Sequence, residues 1–217
     1  MTTRSETVRW IEEVGLVPVV RLPSSALAVR AVEAILEGGV SVVEITMTVP
    51  EAVALLRSLA GRLGDRVLLG AGTVLSDEQA GQCIDAGAKF IVSPGFDAQT
   101  VEHALKRNVP IMPGALTPSE VMNAWKAGVD MVKIFPCSAL GGAKYLRALK
   151  APLPHVKMLP TGGVSVATVP EYIAAGASAL GVGAELVDQA ALEAGKDQLI
   201  TERARELLAA VKNARAK

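Results

Sequence analysis

"KAGVDMVKI", residues 126–134, is a helix end, then a glycine, then an apolar run with a lysine set inside it. The same phrase returns as "EGGVSVVEI" (37–45), "DAGAKFIVS" (85–93) and "AAGASALGV" (174–182). In each, a glycine (Gly38, Gly87, Gly128, Gly176) suits the left-handed position that ends a helix, and an apolar run of strand length follows. Shorter runs lie between: "VPVVR" (17–21), "VLLGAGT" (67–73), "PIMPG" (110–114) and "KMLPT" (157–161). Helix starts are legible as well. Ser76 with Gln79, Thr117 with Glu120, and Thr168 with Glu171 have capping-box spacing, and Pro118 fits a first helical position. Together these place strand ends near Arg21, Thr46, Thr73, Pro94, Gly114, Phe135, Thr161 and Gly183, 20 to 27 residues apart, the length of one strand–helix unit.

Eight such units in 217 residues predict an α/β chain built as a single (β/α)8 TIM barrel, one domain over 1–217. Before it, residues 1–15 carry Val8, Trp10, Ile11 and Val14 at helical spacing and predict an extra N-terminal amphipathic helix. The competing architecture is a doubly wound open sheet, which would show G-x-G-x-x-G after its first strand. The nearest text, "GAGTVL" (70–75), belongs to the third strand and lacks the third glycine.

Composition narrows the function. Half the residues are apolar, and 22 Lys and Arg balance 22 Asp and Glu, mixed along the chain. Zero net charge gives no electrostatic case for nucleic acid or an anionic membrane, and no apolar run approaches the length of a membrane span. Cys83 and Cys137 are far apart and form no redox or metal motif, and the two histidines, His103 and His155, lack zinc-like spacing and read as surface residues. The expectation is a soluble cytoplasmic protein with no metal site, whose chemistry uses amines, carboxylates and backbone. Lys144, Lys150 and Lys157 read as surface charges, and Cys137 and Trp125 as packing residues.

Alternate strand residues of a barrel face the interior and the helices. In "MVKIF" (131–135), Met131, Lys133 and Phe135 share a face; in "VVEIT" (42–46), Val42, Glu44 and Thr46 do. The other residues are β-branched and apolar, so they belong against the helices, and Lys133 and Glu44 point inward. One reading is a buried ion pair that only fills space, a poor stabiliser because desolvation is costly. The other is a site: apolar burial disfavours a charged amine, making it a nucleophile, and a carboxylate alongside shuttles protons. Thr73, Pro94 and Thr161 end strands at the face where barrel enzymes bind substrate. Gly162-Gly163 and Gly181-Val182-Gly183, after strands seven and eight, suit a backbone phosphate cradle.

In family order, "VVEIT", "GAGTV", "IVSPG", "IMPG", "TPSE", "VKIFP" and "PTGGV" run through most of the chain. In these marks it resembles the class I 2-keto-3-deoxy-6-phosphogluconate (KDPG) aldolases, which include the 4-hydroxy-2-oxoglutarate (KHG) aldolases. The resemblance implies a lyase that splits a 2-keto-3-deoxy acid into pyruvate and an aldehyde, with no cofactor and with small molecules as its partners. It implies Lys133 as the Schiff-base lysine, Glu44 as the acid/base, and Thr73 near the pyruvate carboxylate. Pro94, Phe135 and Thr161 would line the pyruvyl pocket, Gly162, Gly163 and Gly183 would bind phosphate, and the assembly would be a homotrimer. Two positions depart from the pattern. Thr48 stands where some members have a carboxylate-holding arginine, for which Arg21 is the substitute expected here. Ala184 stands where members often have a serine at the phosphate. Within the family the alternatives are the C4-epimeric phosphogalactonate derivative or 4-hydroxy-2-oxoglutarate as main substrate. Outside it they are a phosphate-binding isomerase or epimerase, or a non-catalytic sugar-phosphate binder.

Overall fold

The protein is described over residues 3–216 of a computed structural model. Its elements alternate from the start: helix α1 (Arg4–Val14), strand β1 (Leu16–Val20), α2 (Ser25–Glu37), β2 (Val42–Thr46), α3 (Ala52–Leu63), β3 (Leu68–Gly72), α4 (Asp77–Asp85), β4 (Phe90–Val92) and α5 (Ala98–Lys106). Then come two short strands, β5 (Ile111–Met112) and β6 (Gly114–Ala115), followed by α6 (Pro118–Lys126), β7 (Val132–Ile134), α7 (Ala143–Lys150), β8 (Met158–Pro160), α8 (Val169–Ala174), β9 (Leu180–Val182), α9 (Gln189–Glu193) and α10 (Gln198–Arg215). All strand pairings are parallel, in the orders β5-β4-β3-β2-β1-β9 and β6-β7-β8. A bridge between Thr161 and Gly181 links the two sheets. The order never reverses, so the sheet curls around an interior and lacks the switch point of a doubly wound fold.

The apolar residues divide as the alternation requires. Val17, Val42, Leu68, Phe90, Val92, Met112, Met131 and Leu159 form an inner cluster. Val43, Ile45, Val132 and Ile134 join the layer between strands and helices. Within the inner cluster, large side chains fill spaces left by small ones. A Cβ on Gly70 would lie 2.1 Å from the Phe90 ring. Ile11, with Trp10 and Val14 beside it, packs onto the same cluster from below, so α1 covers its floor. Burying a side chain of this size is worth about 1.5–3 kcal/mol. The Arg4–Asp130 and Lys157–Glu12 pairs, at 2.5 and 2.8 Å, fix the direction of α1 more than its stability, being partly exposed. Met1 and Thr2, within the expected helix over 1–15, lie outside the described residues.

Several local expectations need correction. The helix before β2 ends with Gly38 in the right-handed region, and Gly39, at φ 90°, makes the left-handed turn. Gly38 is needed for another reason: a Cβ there would come within 2.4 Å of the Ala204 Cβ on α10. "PIMPG" is two strands because Pro113 has no N–H to give the ladder. His103 is half-buried, with Nε2 lacking a partner. Lys150 is a clamp rather than a free surface charge, donating to the carbonyls of Pro154 and Val156 at 3.1 and 2.7 Å. Of the three capping boxes, Thr117–Glu120 is complete, and Ser76 caps Gln79 while the Gln79 amide oxygen accepts from Leu75. Thr168 caps nothing; it has right-handed backbone and its hydroxyl is engaged elsewhere.

Candidate active site

Because the strands are parallel, their C-terminal ends gather at one end of the interior, above the apolar floor. Lys133 enters there from β7, whose register pairs it with Gly114 on one side and Leu159 on the other. It is 5% exposed, and its Nζ stands 5.0 Å from the centre of the Phe135 ring. The ring covers one side of the amine and keeps bulk water from it.

Glu44 enters from β2, opposite Gly70 and Val19, four strands from Lys133 in the hydrogen-bonded order β2-β1-β9-β8-β7 and so across the interior. It is 1% exposed, and its Oε1 has no hydrogen-bond partner. The room for it is made by Gly72, where a Cβ would lie 1.7 Å from Oε1. Burial holds the Glu44 carboxyl above its ordinary range, against the opposing pull of Lys133 and Arg21. Among the described residues neither Glu44 nor Lys133 takes part in an ion pair. A space-filling pair would satisfy both charges by contact. Here both groups keep their reactive atoms available.

A cavity of about 400 Å³ opens beside Lys133. Arg21, Phe135, Thr161, Gly162, Gly163 and Gly183 all border it, as does Ala184. Thr73 is tied to this group through its hydroxyl, which accepts from Arg21 Nη2 at 3.2 Å. Its φ of 58° is unusual for a β-branched residue, a strained backbone of the kind that functional sites retain. Thr48, where the resemblance expects an arginine in some members, shares a 2.8 Å hydrogen bond with Thr46, so it is occupied locally. Pro94 borders an adjoining cavity of about 370 Å³, and Phe135 lines both. Gly181 lies inside β9 rather than in the loop expected from the sequence, and it faces Thr161, where a Cβ would lie 2.2 Å from Oγ1; the glycine there serves packing.

Sequence reasoning missed Val164 and the exposed Glu185, which also border the main cavity. It missed the support behind the glycine turn as well. The side chains of Thr168 and Tyr172 reach this turn from its other side, donating to the Gly163 and Gly162 carbonyls at 2.9 and 3.0 Å. Of these only Thr168 carried a sequence signal, and its capping-box spacing pointed to the wrong partner.

A buried amine, a buried carboxyl across from it, and an arginine and glycine-rich loops at one side suit carbonyl chemistry on an acidic substrate. Comparison with known proteins agrees. Residues 8–203 match the sequence pattern of the family described as "KDPG and KHG aldolase". The 2-dehydro-3-deoxy-phosphogluconate aldolase of Treponema pallidum is 40% identical over 164 residues, 76% of this chain and 78% of that one. The KHG/KDPG aldolase of Escherichia coli K12 is 36% identical over 197 residues, 91% and 92% of the two chains. Among solved structures, KDPG aldolase of Legionella pneumophila, with pyruvate captured as a covalent carbinolamine, has TM-score 0.85 at 31% identity, covering 92% of this chain and 96% of that one.

Proposed function

The chain belongs to the KDPG and KHG aldolase family, and from that membership we propose that it cleaves 2-keto-3-deoxy-6-phosphogluconate to pyruvate and glyceraldehyde 3-phosphate, with Lys133 as the Schiff-base nucleophile. The observation that carries the reading is the buried Lys133 beside a cavity, with the unpartnered Glu44 carboxylate across the interior.

The residues divide the labour as follows. The Lys133 amine attacks the C2 ketone and water leaves, giving an iminium whose positive charge draws electrons from the bond between C3 and C4. Glu44 takes the proton of the C4 hydroxyl, directly or through water, and the C3–C4 bond breaks to release the aldehyde. A carboxyl held above its usual range is a stronger base when ionised. The enamine left on Lys133 is protonated at C3, and water then frees pyruvate and restores the amine. Phe135 and Thr161 wall the pyruvyl end, with Pro94 at the adjoining cavity that Phe135 also lines. Gly162, Gly163 and Gly183 offer backbone to the phosphate.

Arg21, steered by its bond to Thr73, takes the substrate carboxylate in place of the arginine that Thr48 replaces. Arg21→Ala is expected to raise KM for pyruvate in the condensation direction roughly tenfold, about the worth of a charged hydrogen bond. An unchanged KM would remove Arg21 from the carboxylate site.

Substrate choice is tested by pyruvate release from KDPG, its C4 epimer and 4-hydroxy-2-oxoglutarate. The reading expects the highest kcat/KM with KDPG. Ala184, with no hydroxyl to give a phosphate, favours 4-hydroxy-2-oxoglutarate as the second reading, and a higher kcat/KM with that acid would establish it. We extend the same family reading to the assembly and the architecture. With β5 and β6 taken as one strand, the ladder closes as an eight-stranded barrel with α1 added, and the enzyme is a cytoplasmic homotrimer. Among the described residues, no helix is long and apolar enough to cross a membrane.

A further inference from the structure

The Gly162-Gly163 turn is held from behind by two hydroxyl groups. Tyr172 Oη donates to the Gly162 carbonyl at 3.0 Å, and Thr168 Oγ1 donates to the Gly163 carbonyl at 2.9 Å. The Thr168 hydroxyl is itself oriented, accepting from the Ser165 N–H at 2.9 Å. Tyr172 is buried, and burial, with Cys137 beside it, pushes its phenol up to about 12, so it keeps its proton across the working range.

The consequence follows from peptide geometry. A trans peptide is planar, and its C=O and N–H point in opposite directions. Fixing the Gly162 carbonyl therefore fixes the Gly163 N–H, and fixing the Gly163 carbonyl fixes the Val164 N–H. Both N–H groups belong to residues that border the cavity beside Lys133. Among the described residues neither donates to a partner in the protein. The turn needs such fixing. Gly162 and Gly163 have φ of 102° and 71°, and without a Cβ glycine passes freely between left- and right-handed backbone. A flipped peptide would present a carbonyl oxygen to an anion in place of a donor.

We propose that Thr168 and Tyr172 are positioning residues for the phosphate end of the substrate, acting by locking two successive peptides so that the Gly163 and Val164 N–H groups face the cavity. They touch no substrate themselves. The lock bears on this chain in particular, because Ala184 supplies no hydroxyl and the backbone donors carry more of the anion's binding. Glu185, the acidic side chain that borders the cavity among the described residues, is exposed at the rim, where solvent screens it. The inference rests on the aldolase reading above.

The test compares wild type with Thr168→Val, Thr168→Ser and Tyr172→Phe. Each enzyme is assayed with KDPG and with the same acid lacking its phosphate, and each is trapped with pyruvate and borohydride. The lock predicts a KM for KDPG raised about five- to tenfold in Thr168→Val and in Tyr172→Phe, the worth of roughly one hydrogen bond. It also predicts a KM for the unphosphorylated acid and an extent of pyruvate trapping within about twofold of wild type, and recovery in Thr168→Ser, which keeps the hydroxyl. Equal losses on both substrates would mean a structural role only, and unchanged KM values would mean no role; either overturns the proposal. Failure of wild type to trap pyruvate would instead overturn the aldolase reading, and the proposal with it.

Discussion

Lys133→Ala is expected to lose aldol cleavage down to background, a fall in kcat of about 10⁴-fold or more. The size of the effect comes from the absence of a substitute. Covalent catalysis replaces one difficult carbanion with an iminium that accepts the electron pair, and only an amine can form it. Lys150, at the end of α7, is held by the Pro154 and Val156 carbonyls after it and Lys157 by Glu12 beneath the floor, so neither reaches the cavity. A drop of 10⁴ corresponds to roughly 5.5 kcal/mol of lost transition-state stabilisation. The fold should survive, because the lysine takes part in no ion pair and the interior cluster beneath it is apolar. Steady-state pyruvate release with a circular-dichroism melt checks both halves. An inactive and unfolded variant would leave the chemistry to Lys133→Met, which keeps the volume of the side chain.

Glu44→Gln is expected to lower kcat by about 10² to 10⁴, the usual contribution of a positioned proton-transfer group. Trapping of the pyruvate imine should fall much less, since nucleophilic attack by Lys133 comes before the step Glu44 serves. The same variant should be more stable at neutral pH. Burial raises the carboxyl of Glu44, so the native state binds its proton more tightly than the unfolded state does. Its contribution to stability is then complete below the ordinary carboxyl value of 4.5 and is lost as pH rises through the native value. Glutamine never ionises and escapes that loss. The melting temperature of Glu44→Gln should therefore match or exceed that of wild type near pH 7.5, with the gap closing toward about pH 4. A variant with full kcat would take Glu44 out of the mechanism, whereas a large loss of stability at neutral pH would contradict its desolvated environment.

The inward placement of Lys133 and Glu44 was legible in the sequence because strand alternation is strict. Val132 and Ile134, or Val43 and Ile45, have only one place to go, and that sends Lys133 and Glu44 inward. Groups brought together by distant strands carried no such mark. Nothing near Gly72 says that its missing side chain makes room for Glu44, 28 positions earlier. Gly38 and Gly39 are both glycines after one helix, and nothing local tells that Gly39 turns the chain while Gly38 packs against α10. Thr168 misled for a similar reason. A threonine three residues before a glutamate fits a capping box, but the hydroxyl serves a glycine carbonyl five residues upstream. Local spacing reports which bonds are possible, and the tertiary fold chooses among them. Pro94, grouped with the pyruvyl residues by resemblance, borders a cavity that adjoins the one beside Lys133, with Phe135 lining both.

The central claim is that Lys133 forms the covalent intermediate, and borohydride reduction in the presence of pyruvate tests it most directly. After proteolysis and mass analysis, one pyruvate-derived adduct is predicted, on the peptide containing Lys133, with none in Lys133→Ala. An adduct on a different lysine, or a wild-type enzyme that turns over substrate without being trapped, would contradict the account.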